Sequence, residues 1–245
     1  ATTLGLDSSG EPLSHRGYRP HGGPAPLAET LAAGILMLAG YDGEEPVLDP
    51  MCGSGTFAVE AALIATRTPP GLRRDFAFER WRLHDRGLFE EVRREARRGH
   101  REAPAPIAAR DRDERAVRAT ERNLKAAWMD RWVRVEQRDA LDLRLPWGSG
   151  GMVVANPPYG KRMGEVARLG GLYRRFGDSL KQHAAGATAW LLVGEPSLAR
   201  QIGLKPTRKI PLFNGPIECR LLKFELYEGS QRRVAASPKK AEDEL

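Results

Sequence analysis

Four consecutive residues, Asn156-Pro157-Pro158-Tyr159, carry the most specific chemistry in the chain. An amino group on an aromatic base is a weak nucleophile, because its lone pair is delocalised into the ring. Two acceptors aimed at its hydrogens, the Asn156 side-chain carbonyl and the Pro157 main-chain carbonyl, would hold that lone pair toward an electrophile. They would also stabilise the positive charge developing on nitrogen, which is electrostatic rather than general-base catalysis. Pro157 and Pro158 restrict φ and bias Asn156 toward extended backbone, so the acceptors are set in advance. Tyr159 offers a ring for stacking on an unstacked base, a contact worth about 1–3 kcal/mol.

A second stretch, Val47-Leu48-Asp49-Pro50-Met51-Cys52-Gly53-Ser54-Gly55-Thr56, reads as a buried strand followed by a glycine loop that opens a helix. That is where a doubly wound sheet binds its cofactor. The third glycine of a dinucleotide fingerprint is replaced here by Val59 or Glu60, and no Walker sequence is present. An acid directly before the loop, Asp49, is a poor neighbour for a pyrophosphate. It suits a ligand carrying a positively charged amine, as S-adenosylmethionine does, with Met51, Cys52, Gly53, Ser54, Gly55 and Thr56 around it. A tight βα turn without a ligand is the alternative. At the end of the next strand Asp111, with Asp113 as runner-up, is placed to accept from ribose hydroxyls. One strand later Asp139, followed by Ala140, is placed to accept from an adenine amino group.

The elements that must position these residues alternate along the chain. A helix is expected over Leu27–Ala39, a strand at Val47-Leu48 and a helix over Thr56–Thr66. Strands follow at Pro106–Arg110, Trp132–Glu136, Gly151–Ala155 and Thr188–Val193, with helices over Arg115–Trp128, Leu169–His183 and Pro196–Gln201. Paired strands at Lys209–Leu212 and Glu218–Tyr227 close the series. Repeated βα units imply a parallel α/β sheet covered on both faces. Residues 1–26 read as a β-hairpin and connector, 27–229 as the main domain, and 230–245 as a disordered tail. Within the main domain, 67–106 is a charged insertion. Its Arg73, Arg74, Arg93 and Arg94 are candidates for phosphate contact or simply a solvated helical face.

The chain has 245 residues, 39 Lys+Arg against 32 Asp+Glu and a formal charge of +7, which suits a polyanionic partner. Its two cysteines, Cys52 and Cys219, are far apart with no metal-ligand spacing, which suits a reducing cytoplasm and leaves no zinc site in view. Five scattered histidines form no triad or metal set. The longest nearly apolar run, Leu31–Tyr41, is well short of the ~20 residues that span a bilayer.

Taken together, the 48–56 and 156–160 stretches resemble the THUMP-associated RNA methylase family. The resemblance extends to Arg16-Gly17-Tyr18-Arg19, Ala25-Pro26-Leu27-Ala28-Glu29, Phe76-Ala77-Phe78-Glu79-Arg80-Trp81 and Leu212–Cys219, and so covers nearly all of residues 3–227. It implies a class I S-adenosylmethionine-dependent methyltransferase with a Rossmann-like seven-stranded sheet whose last strand inserts antiparallel. It also implies Glu29 near the methionyl end of the cofactor, and guanine N2 of 23S ribosomal RNA, free or in an assembling large subunit, as the acceptor. Adenine N6 of DNA, a protein glutamine, or a non-catalytic RNA-binding role are the alternatives. The family carries an RNA-binding THUMP module, which the residues before Thr3 are too few to encode. The chain is therefore expected to be a fragment or to rely on the 67–106 insertion and on partners for RNA capture.

Overall fold

The computed structural model describes residues 2–19, 27–160 and 163–227. The connector expected at Pro20–Pro24 and the tail expected from Ser230 lie outside the described residues. Five short apolar runs form a parallel set: β1 (Val47–Asp49), β2 (Ile107–Asp111), β3 (Val133–Gln137), β4 (Met152–Ala155) and β5 (Thr188–Val193). The hairpin β6 (Arg208–Asn214) and β7 (Ile217–Glu225) completes one seven-stranded sheet of order β3-β2-β1-β4-β5-β7-β6. The last strand is antiparallel and lies between β5 and β6, with Thr188 opposite Glu225 and Asn214 opposite Ile217.

Side chains alternate across a strand, so a sheet covered on both sides needs apolar residues at every position. Val47, Ala109, Val154 and Leu192 enter one core together with α1 (Glu29–Ala39) and α2 (Thr56–Ala65). Leu48, Ala108, Val153 and Leu191 enter the other, against Tyr173, Phe176 and Leu180 of α5 (Met163–His183). Nine of the ten residues of α2 are buried, as expected of an Ala-rich helix lying between the sheet and α1. The chain runs outward from β1 to β2 and β3, then crosses back to β4 on the other side of β1. The carboxyl ends of β1 and β4 therefore border a topological switch point, where α/β sheets bind ligands.

Several boundaries differ from expectation. Strands β2 and β3 each end one residue later, at Asp111 and Gln137, and α1 begins at Glu29 rather than Leu27. Helix α5 starts at Met163, six residues before the expected Leu169, because Val166 and Leu169 already pack on the second core and extend its apolar stripe. The expected N-terminal hairpin does not form: residues 2–19 hold only turns and bends, with Leu4, Leu6 and Leu13 exposed. Their carbonyls are taken by the 67–106 segment instead. Phe78 N–H donates to Ser8 O (3.1 Å) and Ala77 N–H to Ser9 O (3.3 Å). The Arg74 guanidinium donates to the carbonyls of Ser9 (3.2 Å), Glu11, Pro12 (2.9 Å) and His15 (3.4 Å).

That segment is less a charged excursion than a small subcore. A 3₁₀ turn (Ala77–Arg80) and α3 (Arg86–Arg98) enclose Phe76, Phe78 and Phe89, with the Phe78 and Phe89 centroids 4.9 Å apart in edge-to-face contact.

Helix α5 is pressed onto the turn after α6 (Pro196–Gln201): a Cβ on Gly177 would fall 1.9 Å from the Ile202 carbonyl oxygen. Gly177→Ala forces the two elements apart, and urea unfolding is expected to register a loss of about 3 kcal/mol. A variant as stable as the parent would contradict this packing.

Candidate active site

The loop after β1 is shaped by glycine and braced from α4 (Glu114–Ala127). Gly53 and Gly55 both adopt left-handed backbone, φ 56° and 80°. At Gly55 a Cβ would also strike Thr120, 2.6 Å from its Cγ2. The Thr120 hydroxyl donates to Gly53 O (3.0 Å), and Asn123 Nδ2 donates to Ser54 O (2.8 Å). Cys52 Sγ lies 3.3 Å from the Thr120 hydroxyl, and burial raises its thiol pKa far above the ordinary range, which leaves it unreactive. Gly53 N–H donates to Asp111 Oδ2 (2.9 Å), tying the loop to the end of β2. On its outer side Gly53 faces open space, with nothing within 4 Å of where a Cβ would stand.

Asp49 ends β1 and is only 3% exposed. Its carboxylate accepts from Met51 N–H (3.1 Å). Burial is the main reason its pKa is pushed up to about 8; the Met51 N–H opposes the rise and the Asp111 charge adds to it. A buried acid of this kind ionises readily only when a cation comes to it.

Asn156 follows β4 directly, and the four residues of the tetrapeptide divide their exposure. Pro157 is buried, Asn156 and Tyr159 are half-buried, and Pro158 is exposed. The Tyr159 hydroxyl donates to Asn156 Oδ1, and Tyr173 of α5 donates to Pro158 O (3.1 Å). One face of the Tyr159 ring rests on Gly194, where a Cβ would stand 2.8 Å from the ring. Burial raises the Tyr159 pKa, and the neighbouring Cys219 and Asn214 also act on its phenol. Both neighbours belong to the β6–β7 hairpin.

Some of these parts border a cleft of about 300 Å³, while Asp49, residues 52–56, Pro157 and Tyr159 stand outside its lining. Its lining includes Met51, Asp111, Asp139, Ala140, Asn156 and Pro158, drawn from the carboxyl ends of four parallel strands. Asp139 Oδ1 accepts from Leu141 N–H (2.9 Å), which fixes the carboxylate at the cleft edge. Asp113 does not line it: it caps α4, accepting from Arg115 N–H (2.9 Å). Glu29 is buried apart from the lining, paired with Arg19 (3.0 Å), whose guanidinium also donates to Thr56 Oγ (3.2 Å). Pro50, Arg112 and Leu172 line the cleft without having been singled out in the sequence. Tyr173, Asn214, Cys219 and Gly194 were also missed as supports. Only Asn214 and Cys219 had any signal, as members of the 212–219 stretch.

The arginines of the 67–106 segment mostly serve the fold. Arg74 clasps backbone carbonyls, and Arg93 pairs with Glu79 (3.6 Å) and lies over Phe89. Arg73 covers Trp128, 3.5 Å from the ring centroid, and donates to Ala126 O. Of the four, Arg94 alone is exposed and without a partner among the described residues. Among those residues no His/Cys/Asp/Glu group could hold a metal ion, and no helix is long and apolar enough to cross a membrane.

Residues 16–223 match the family described as RMKL-like, methyltransferase domain. The ribosomal RNA large subunit methyltransferase K/L of Methylococcus capsulatus is 43% identical over 91% of this chain and 31% of its own length. The protein of the same name from Syntrophotalea carbinolica is 42% identical over 92% of this chain and 33% of its length. The chain thus spans about a third of these relatives. Among solved structures, SMU.472 complexed with SAH superposes with a TM-score of 0.84 at 31% identity, covering 91% of this chain and 58% of that one. A predicted N6-adenine-specific DNA methylase from Listeria monocytogenes gives 0.82 at 31% identity, covering 90% and 57%.

Asp49 sets a pH dependence whose sign follows from its raised pKa. The folded protein keeps the proton up to about pH 8, whereas an unfolded chain releases it near pH 4. The folded state therefore binds the extra proton in that window, and the Asp49 contribution to stability declines as pH rises from about 4 to about 8. Thermal unfolding of Asp49→Asn at pH 5 and pH 8 is expected to lack this part of the slope. An identical slope in both proteins would refute it.

Proposed function

The chain belongs to the RMKL-like methyltransferase domain family, and from that premise we propose that it moves a methyl group from S-adenosylmethionine to the exocyclic N2 of a guanine in 23S ribosomal RNA. The observation that carries the reading is the cleft itself. Met51 of the glycine loop and the acids Asp111 and Asp139, suited to the cofactor, share one cavity with Asn156, suited to the acceptor amine. The named activity of the K/L relatives supplies the large-subunit RNA.

The residues present fit the cofactor. Asp49 is a buried acid poised to ionise beside an ammonium group, Gly53 leaves the loop open on its outer side, and Asp111 and Asp139 stand at successive strand ends as acceptors. When bound, S-adenosylmethionine supplies an electrophilic methyl group on a sulfonium. Asn156 Oδ1 and the Pro157 carbonyl accept from the acceptor amino group and hold its lone pair in line. These oxygens are far too weakly basic to take a proton, so their contribution is electrostatic. Tyr159 holds Asn156 by its hydroxyl, and the ring face turned away from Gly194 stacks on the extruded base. Such a reaction on ribosomal RNA belongs in the cytoplasm. An RNA-binding THUMP module, covalent or separate, adds to the substrate affinity.

Adenine N6 is a second reading, favoured by the Listeria structure and by the fact that the same two acceptors would serve any exocyclic amine. Incubating the protein with labelled donor and either unmethylated 23S RNA or DNA separates them. N2-methylguanosine in the RNA digest is expected; N6-methyladenine in DNA, with unlabelled RNA, would replace the proposal. Asn156→Ala is expected to lower turnover by about 10²–10³-fold while leaving donor affinity within about twofold by calorimetry. Undiminished turnover would remove Asn156 from the mechanism.

A further inference from the structure

We propose that Arg112, Arg168 and Arg175 form a seat for the backbone phosphates flanking the target nucleotide, an inference that rests on the RNA reading above. A cavity of about 470 Å³ adjoins the candidate active site, and these three arginines line it. Arg112, Pro158 and Leu172 line both cavities, so the second is a continuation of the first beyond the exposed Pro158. Arg168 and Arg175 are seven residues, two turns, apart on α5, which puts them on one face with Leu172 between them. Arg112 reaches the same space from the loop after β2.

Elsewhere in the molecule the arginines near the site are neutralised: Arg16 by Glu60, Arg19 by Glu29, Arg110 by Glu136. Arg112, Arg168 and Arg175 are exposed, and none has a carboxylate within ion-pair distance among the described residues. Three like charges around one concavity repel unless an anion joins them, and the focused positive potential draws in a polyanion. Guanidinium groups match phosphate oxygens in two-point geometry. A base reaching Asn156 past Pro158 carries its two phosphates along that same wall. The alternative source of anionic oxygen is the carboxylate of the methyl donor, since Arg112 also borders the donor cleft.

The test is filter binding of unmethylated, protein-free 23S ribosomal RNA over a range of salt, alongside calorimetric titration of S-adenosylmethionine. The variants are the double substitution Arg168→Gln with Arg175→Gln and, as a charge-matched control on the exposed face of α4, Arg118→Gln with Arg122→Gln. Two lost phosphate contacts should make the slope of log affinity against log salt shallower by about 1.4, at roughly 0.7 per contact on a single strand. Donor affinity should stay unchanged, and the control should keep the parental slope. An unaltered slope, or an equal change in the control, overturns the seat while leaving methyl transfer standing. A fall in donor affinity with RNA binding intact assigns the arginines to the donor carboxylate and overturns it too. A parent protein that binds donor but no RNA removes the functional reading and this proposal together.

Discussion

The loop between β1 and α2 depends on two side chains reaching over from the next βα unit. Asp111 takes the Gly53 N–H and Thr120 donates to the Gly53 carbonyl, so one residue of the loop is held through both of its flanking peptide groups. A glycine-rich turn has too much conformational freedom to present a fixed surface by itself. Gripping it from β2 and α4 transfers the rigidity of the sheet to the loop. The grip also dictates composition: Gly55 is pressed so near Thr120 that no side chain fits, and Cys52 becomes a buried, unreactive filler beneath it. Asp49, enclosed behind this loop, keeps its proton until something positive arrives.

The second half of the site is held by a different route. Asn156 is fixed by Tyr159, the tyrosine ring by Gly194 at the end of β5, and Pro158 by Tyr173 from α5. The antiparallel β7 between β5 and β6 matters here because it brings Asn214 and Cys219 of the hairpin beside Tyr159. Four elements distant in sequence thus converge on one tetrapeptide. This is the preorganisation that electrostatic catalysis needs, since acceptors that had to reorient during reaction would lose most of their effect.

Much of this was legible from contiguous residues. The glycine loop, the acids at strand ends and the tetrapeptide each announce themselves locally, because strand termini, backbone freedom and proline stiffness are short-range properties. Asp111 and Asp113 could be ranked by register but not separated, and the difference proved to be that Asp113 caps α4. What stayed hidden depends on tertiary partners. The arginines at 74 and 93 look like a solvated basic face, yet one clasps carbonyls and the other joins the aromatic subcore. Alternating Leu4 and Leu6 suggested a hairpin, but isolated two-stranded ribbons are marginal and the segment's carbonyls find stronger donors. The early start of α5 was masked by its glycines.

The Arg74 clasp binds residues 9–15 through main-chain oxygens alone. Such a contact reads the path of a chain and ignores its spelling. Drift along that stretch costs little outside Gly10, whose left-handed backbone favours glycine, whereas the one guanidinium that follows the curve has no ready substitute: lysine lacks the planar fork needed to meet several oxygens at once.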